Sequence, residues 1–160
     1  MEKVLVIDAT KCTGCRICEQ VCSVQHEGTV NPYRARIRVL KWEIEGQALP
    51  MVCRQCDDPP CQNICPMEAI SKYEPTGLVS VDYDKCIGCR MCISACPFGA
   101  MDYDLIGKKV MKCDFCGGEP QCARFCDAKA IRFESKSKTS AEYRKLAATL
   151  TKNLQSGIST

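Results

Sequence analysis

The chain has 160 residues, sixteen of which are cysteines, and a formal net charge of +3. A chain of this length holds one ordinary domain or two very small ones, and a second core would need support besides apolar side chains. So many cysteines in a short chain indicate a disulfide scaffold, a metal protein or a cluster protein. The weak charge gives no argument for nucleic-acid binding.

The first predicted element is a short β-strand at residues 4–7, which ends at Asp8. The apolar run is shorter than that of a signal peptide and lacks a small-residue cleavage site. No stretch of the sequence approaches the eighteen apolar residues of a membrane span. We therefore expect a cytoplasmic protein, because a reducing compartment keeps thiols free to bind a metal or a cluster.

Two internal repeats organise the chain. Residues 4–22 (VLVIDATKCTGCRICEQVC) match residues 78–96 (LVSVDYDKCIGCRMCISAC), and residues 51–70 resemble residues 111–131 with a wider gap between the second and third cysteines. The first pair shares its cysteines and also Asp8/Asp82, Lys11/Lys85, Gly14/Gly88 and Arg16/Arg90. The repeats predict four cysteine motifs, each built as strand, loop, one helical turn and strand.

A hairpin is predicted after the first motif. Ala35, Ile37 and Val39 alternate with arginines, which is typical of a strand, and Gly46 suits the turn that follows. We expect this hairpin to cover one of the cysteine sites, with Trp42 packed inside. A further strand is predicted at residues 78–81, ahead of the third motif.

The last predicted elements are a polar linker at residues 134–140 and an amphipathic helix. Thr139 and Glu142 have the spacing of a capping box, which favours a helix that begins there. Its apolar face would consist of Tyr143, Leu146, Ala147, Leu150 and Leu154.

The cysteine spacing points to 4Fe-4S clusters. The first and third motifs, Cys12, Cys15, Cys18, Cys22 and Cys86, Cys89, Cys92, Cys96, have the C-x2-C-x2-C-x3-C pattern of bacterial ferredoxins. The second and fourth motifs, Cys53, Cys56, Cys61, Cys65 and Cys113, Cys116, Cys122, Cys126, follow the same order with a longer central loop. Disulfides would need an oxidising compartment. A structural zinc site takes its cysteines from C-x2-C pairs, so the third cysteine of the C-x2-C-x2-C pattern would not be needed.

In such motifs the fourth cysteine binds the neighbouring cluster, so motifs work in pairs. Proline follows the last cysteine of the second and third motifs but not of the other two, which favours a nested pairing of inner with inner and outer with outer. The ligand sets would be Cys12, Cys15, Cys18 with Cys126; Cys22 with Cys113, Cys116, Cys122; Cys53, Cys56, Cys61 with Cys96; and Cys65 with Cys86, Cys89, Cys92. Spacing alone also permits sequential pairing.

This pairing predicts an α+β fold with two ferredoxin-like, two-cluster lobes, short strands, short helices and a C-terminal helix. Residues 1–30 with 104–134 would form a discontinuous outer lobe, and residues 31–103 an inner lobe. Residues 135–160 would form the linker and the helix.

The motif order, the proline pattern and the C-R-x-C sequences at Cys15 and Cys89 resemble the four-cluster electron-transfer subunits of molybdenum and tungsten oxidoreductases. That family includes the iron-sulfur subunits of dimethyl sulfoxide reductase and formate dehydrogenase. The short chain looks closest to the small subunit of tungsten aldehyde oxidoreductase and to the carbon monoxide dehydrogenase partner. The resemblance implies nested ligation, and the full set of cysteines implies only 4Fe-4S clusters.

Four thiolates per cluster leave no iron open for a substrate, so we predict electron transfer without catalysis. The expected partners are a tungsten- or molybdenum-pterin catalytic subunit and a flavin subunit or soluble carrier, in a hetero-oligomer without nucleic acid or membrane span. The alternatives are a free polyferredoxin serving carbon monoxide dehydrogenase or hydrogenase, and an iron-sulfur redox sensor.

Cations beside the ligands would favour the reduced clusters, namely Lys11, Arg16, Arg54, Lys85, Arg90 and Arg124. His26, the single histidine, is expected in a loop or on the surface.

Overall fold

The computed structural model describes residues 2–140, which contain short strands and short helices as the α+β prediction requires. The strands are β1 Lys3–Ile7, β2 Ile37–Trp42, β3 Gln47–Val52, β4 Ile70–Tyr73, β5 Leu78–Val81, β6 Asp102–Asp104, β7 Lys109–Met111 and β8 Ile131–Ser135. The helices are α1 Ile17–Glu27, α2 Pro60–Asn63, α3 Met91–Ser94 and α4 Gln121–Arg124. Within the described range, each helix is too short or too polar to cross a bilayer.

The described strands form two-stranded antiparallel sheets, paired β1 with β8, β2 with β3, β4 with β5 and β6 with β7. Three of these pairs are local hairpins. The fourth joins the two ends of the described range, in a register that places Lys3 opposite Ser135 and Ile7 opposite Ile131. A backbone hydrogen bond of 2.8 Å from Asp8 N to Ala130 O extends this pairing into the first motif.

Two separate groups of buried side chains form the interior. The first surrounds α1 and contains Leu5, Ile37, Val39, Phe115 and Ile131 together with buried cysteines. The second contains Ile70, Val79, Met101 and Val110, again with buried cysteines. Because cysteines lie in both groups, each core packs around the positions where the sequence predicts clusters.

The β2–β3 hairpin confirms the predicted alternation. Ile37 and Val39 are buried on one face, and the turn residue Gly46 has a φ of 66°. This face packs into the first core, although the hairpin lies within the segment predicted as the inner lobe. Trp42 is 45% exposed, so the prediction that it packs inside was wrong. Side chains alternate between the two faces of a strand, so Trp42 points to the face of β2 opposite to that of Ile37.

The two halves of the long repeat differ in helix length. In both loops the residue before the helix, Arg16 or Arg90, has a left-handed conformation. The helix α3 is a single turn, as predicted, but α1 continues for eleven residues. Pro97 disfavours a helical residue before it and cannot donate an amide hydrogen bond, whereas Ser23 at the matching position allows the helix to continue.

Only the first two residues of the linker predicted at residues 134–140 have an extended conformation. Strand β8 reaches Ser135, and residues 136–140 are helical. Ser135 Oγ accepts a hydrogen bond of 3.4 Å from Lys138 N, whereas the Thr139 hydroxyl donates to Ser135 O at 3.1 Å. Ser135 therefore caps this helix, and the prediction that it begins at Thr139 was wrong. The predicted helical face from Tyr143 to Leu154 lies outside the described residues.

Candidate cofactor sites

A cavity lined by four cysteines lies between the loop before α1 and the end of α4. It has a volume of about 220 Å³. Three of its cysteines come from the first motif and one from the last: Cys12, Cys15, Cys18 and Cys126, which we call site 1. Apolar side chains, including Val39 of the hairpin and Ile131 of β8, complete the wall.

A second group of cysteines, site 2, lies in the first core. It consists of Cys22, Cys113, Cys116 and Cys122. Three of the four are less than 10% exposed, and the thiols raise one another's pKa values. Arg36 N donates to Cys22 Sγ at 3.2 Å, so the hairpin supplies a backbone amide to this site.

Two further cavities are lined by cysteines of the middle motifs. Site 3 contains Cys53, Cys56, Cys61 and Cys96, and site 4 contains Cys65, Cys86, Cys89 and Cys92. Ala69 N donates to Cys65 Sγ at 3.3 Å, and Ala100 N donates to Cys96 Sγ at 3.4 Å. In both cases the donor is the backbone amide of the residue four positions after the cysteine, which is the alanine of the repeated C-x-x-x-A sequence. Amides directed at sulfur are a known means of tuning a cluster potential.

The protonation chemistry of these groups fits a polynuclear metal centre. Burial raises the pKa of Cys18 to about 12, and the neighbouring Glu19, Cys15 and Cys12 act in the same direction. Burial also raises the pKa of Cys92 to about 11, and the neighbouring Cys61 is the second largest cause of this rise. Closely spaced buried thiols cannot all ionise without a cationic centre. All sixteen cysteines are free, and a group of four soft thiolate donors suits iron-sulfur or zinc.

Each site neighbours the next one in the order 1, 2, 3 and 4, as the mutual effects of their cysteines indicate. The Cys122 thiol of site 2 is affected by Cys18 of site 1. Cys113 of site 2 is affected by Cys53 of site 3, and Cys92 of site 4 by Cys61 of site 3. The two exposed cysteines, Cys15 and Cys89, belong to the terminal sites 1 and 4. The cysteines of the inner sites 2 and 3 are buried or half-buried, whereas each outer site has one cysteine at the surface.

Most cations predicted to influence the sites are at the surface. Lys11 and Lys85 are 53% and 61% exposed and pair with Asp8 and Asp82. The guanidinium of Arg90 stacks on the ring of Tyr103 at 3.7 Å. Such exposed charges are screened by water, so their effect on a buried site is small.

Sequence reasoning also misplaced His26. Its prediction as a loop or surface residue was wrong, because it lies in the last turn of α1 with a side chain only 11% exposed. Its Nε2 is 3.7 Å from Cys116 Sγ and 3.5 Å from Asp114 Oδ1. The three residues together offer ligands suited to a metal ion. Since Cys116 belongs to site 2, we regard this cluster as part of that site.

Sequence reasoning also missed Gln55 and Lys112, which are 6% and 3% exposed. Both line the cavity of site 3. The sequence contains a partial signal, because lysine immediately precedes the first cysteine in three of the four motifs: Lys11, Lys85 and Lys112. Only the fold distinguishes Lys112, which is buried, from the two exposed lysines.

Comparison with known proteins agrees with this geometry. The 4Fe-4S dicluster domain family matches residues 44–136, and the 4Fe-4S binding domain family matches residues 5–25. The polyferredoxin-like subunit of the aliphatic sulfonate oxidoreductase of Pyrococcus furiosus is 46% identical over 76% of this chain and 70% of that protein. The electron transport protein HydN of Escherichia coli is 36% identical over 82% of this chain and 87% of that protein.

The B subunit of the anaerobic dimethyl sulfoxide reductase of Escherichia coli is also similar, with 35% identity over 79% of this chain and 70% of that protein. The chain belongs to the 4Fe-4S dicluster domain family. It is an iron-sulfur electron-transfer protein with four 4Fe-4S clusters, as its cysteine motifs predict. The match to tungsten aldehyde oxidoreductase in particular stays a prediction.

Proposed function

We propose that this member of the family is a non-catalytic subunit that relays single electrons to or from a catalytic oxidoreductase subunit. The observation that carries the proposal is the order of four neighbouring sites, with an exposed cysteine in the first and in the last. A relay inside a complex needs one end for each partner, and the terminal sites 1 and 4 meet that need. Relatives named as oxidoreductase subunits support the same role.

The proposed ligands are the cysteines of sites 1 to 4, which are the nested sets predicted from the motifs. Three of these sets line cavities, and the members of the remaining set affect one another's pKa values, which supports the assignment. When bound, each cluster would accept and release one electron with little structural change. The thiolates would hold the cluster, backbone amides would stabilise sulfur charge, and apolar side chains would exclude water.

The proposed outer lobe comprises residues 1–30 with 104–134, and the inner lobe residues 31–103. Pairing of β1 with β8 supports the closure of the outer lobe by both ends of the chain. The β2–β3 hairpin belongs to the inner segment in sequence but covers sites 1 and 2, so it would link the two lobes. The lobes would thus be rigidly connected, which a relay requires because electron transfer depends on fixed distances.

The proposed catalytic partner holds a tungsten or molybdenum pterin, as in an aldehyde oxidoreductase. A flavin subunit or a soluble carrier would take the electrons at the other end. We place the complex in the cytoplasm, since sixteen free thiols need a reducing compartment until the clusters are assembled.

Anaerobic co-expression with the neighbouring genes tests this proposal. The expected result is a stable complex in which reduction of the catalytic subunit by its substrate bleaches the visible absorbance of the clusters. The matched control is the separated subunit, which substrate alone should leave oxidised. A chain that carries its clusters but remains unassociated and exchanges electrons only with soluble carriers would refute the subunit role.

A further inference from the structure

A buried lysine side chain lies at the boundary between sites 2 and 3. Lys112 directly follows β7, and its side chain reaches into the interior. Its Nζ contacts Gln55 Oε1 at 3.0 Å, Cys113 O at 3.3 Å and Val79 O. All three acceptors belong to uncharged groups. The structure therefore encloses a lysine without an anionic protein group among these contacts.

The number of acceptors around this lysine matches the donors of an ammonium group. Oxygen acceptors surround Nζ on three sides. An ammonium group has three N–H donors, whereas a neutral amine has two and would direct a lone pair at the third oxygen. The hydrogen-bond pattern fits the cation. A buried cation is costly unless a negative charge lies nearby.

The neighbouring cysteine sites supply that negative charge. Lys112 lines the cavity of site 3 and is joined by a peptide bond to Cys113 of site 2. Its Nζ also lies 3.3 Å from the carbonyl oxygen of Cys113, and Gln55, which it contacts, lines the same cavity of site 3. Lys112 is therefore adjacent to both inner sites.

Gln55 holds the lysine in this position. Its Oε1 accepts from both Lys112 Nζ and Val79 N, and its Nε2 donates to Cys113 O at 2.8 Å. One side chain thus connects the second motif, strand β5 and the start of the fourth motif. Gln55 adopts a φ of 47°, which is unusual for a residue with a side chain. We regard it as a positioning residue for Lys112.

We propose that Lys112 is an internal counter-charge that raises the reduction potentials of the two inner clusters above the values that their thiolates and amides alone would give. Reduction adds a negative charge to each cluster, and a fixed cation in a medium of low dielectric constant stabilises that charge more than water-screened surface lysines do. Electrons would then reside preferentially on the inner clusters. This inference rests on the proposed ligand sets.

Redox titration of the four-cluster protein, followed by electron paramagnetic resonance, tests the inference. Lys112→Met removes the charge with little change in side-chain volume. We expect the reduction equilibrium of two of the four clusters to fall by about tenfold, which is about 59 mV for one electron. The reduction potentials of the other two clusters should fall by less than half of that shift in potential. Lys85→Met is the matched control, since Lys85 also precedes a first cysteine but is exposed, and it should leave all four potentials unchanged.

Lys112→Gln provides a second neutral variant if Lys112→Met assembles poorly, because its amide can still donate to the surrounding carbonyl oxygens. Iron and sulfide analysis of every variant comes first. Four clusters with potentials that match the Lys85→Met control would overturn the role of Lys112 while leaving the relay intact. Fewer than four clusters in the wild-type protein would instead refute the ligand sets on which the inference rests.

Discussion

Arg34 is the centre of a buried ion cluster that links distant parts of the chain. Its Nη2 lies 2.6 Å from Asp104 Oδ2 and 2.7 Å from Glu27 Oε2. Asp104 has a side chain only 1% exposed, and that of Glu27 is 10% exposed. Burial acts to raise the pKa of Asp104, but hydrogen bonds from Arg34 and from the Ile106 and Gly107 amides lower it overall. Asp104 is therefore ionised.

Arg34→Met leaves both carboxylates without their cation. Breaking a buried ion pair in this way costs about 3–5 kcal/mol. We expect about 3 kcal/mol, the lower end, since Asp104 Oδ1 still accepts from Ile106 N at 3.0 Å. Adding Asp104→Asn to Arg34→Met should restore at least half of the loss, because the second substitution removes one unpaired charge. Asp104→Asn alone should cost less than Arg34→Met, since Arg34 keeps Glu27.

Anaerobic denaturant unfolding of the four-cluster protein, followed by circular dichroism and cluster absorbance together, measures these changes as a double-mutant cycle. Lys85→Met is a suitable control, because its exposed pair with Asp82 should contribute less than about 1 kcal/mol. Additive effects of Arg34→Met and Asp104→Asn would show that the two side chains do not interact. That result would refute the reasoning from buried charge.

Three further predictions follow from the cysteine sites and from α1. Removal of iron by a strong chelator should abolish the native circular dichroism, because cysteines form much of both cores; retention of the native spectrum would contradict this. Burial favours the neutral form of Cys18 and Cys92 and raises their pKa values from 9.0 to about 12 and about 11, so these thiols carry protons near neutral pH until a cluster binds. Cluster assembly should accordingly release protons and speed up between about pH 7 and 9, as a pH indicator dye and absorbance would show; a rate independent of pH would count against it. Ser23→Pro should destabilise the protein by about 3 kcal/mol or more in denaturant unfolding, because it interrupts α1 and removes the hydroxyl that bonds Gln20 O and Asn31 N, while an Ala substitution at the same position should cost only about 1 kcal/mol.

The sequence could reveal the features that depend on the spacing of residues close to one another in the chain. Cysteine intervals predicted the four sites, and alternation predicted the buried face of β2. The same alternation places Trp42 on the outer face, so that error came from judging the residue by its type alone. The length of α1 does not follow from the absence of proline alone, because α4 also ends after one turn although Asp127 occupies the position of Pro97.

The features that the sequence could not reveal depend on contacts between distant segments. Lys11, Lys85 and Lys112 occupy the same position beside a cysteine, but only Lys112 is enclosed, because Gln55 and Val79 from other segments surround it. His26 is likewise placed by the packing of α1 against the segment that holds Cys116. No local pattern encodes either environment.

The pairing of β1 with β8 also determines when the protein can be completed during its synthesis. Strand Lys3–Ile7 is translated before its partner Ile131–Ser135, which follows all sixteen cysteines. With the proposed ligands, sites 3 and 4 need only cysteines from residues 53–96 and could close on a nascent chain, whereas sites 1 and 2 would wait for Cys126 and Cys122. Clusters inserted during synthesis would therefore be completed in the inner lobe before the outer lobe.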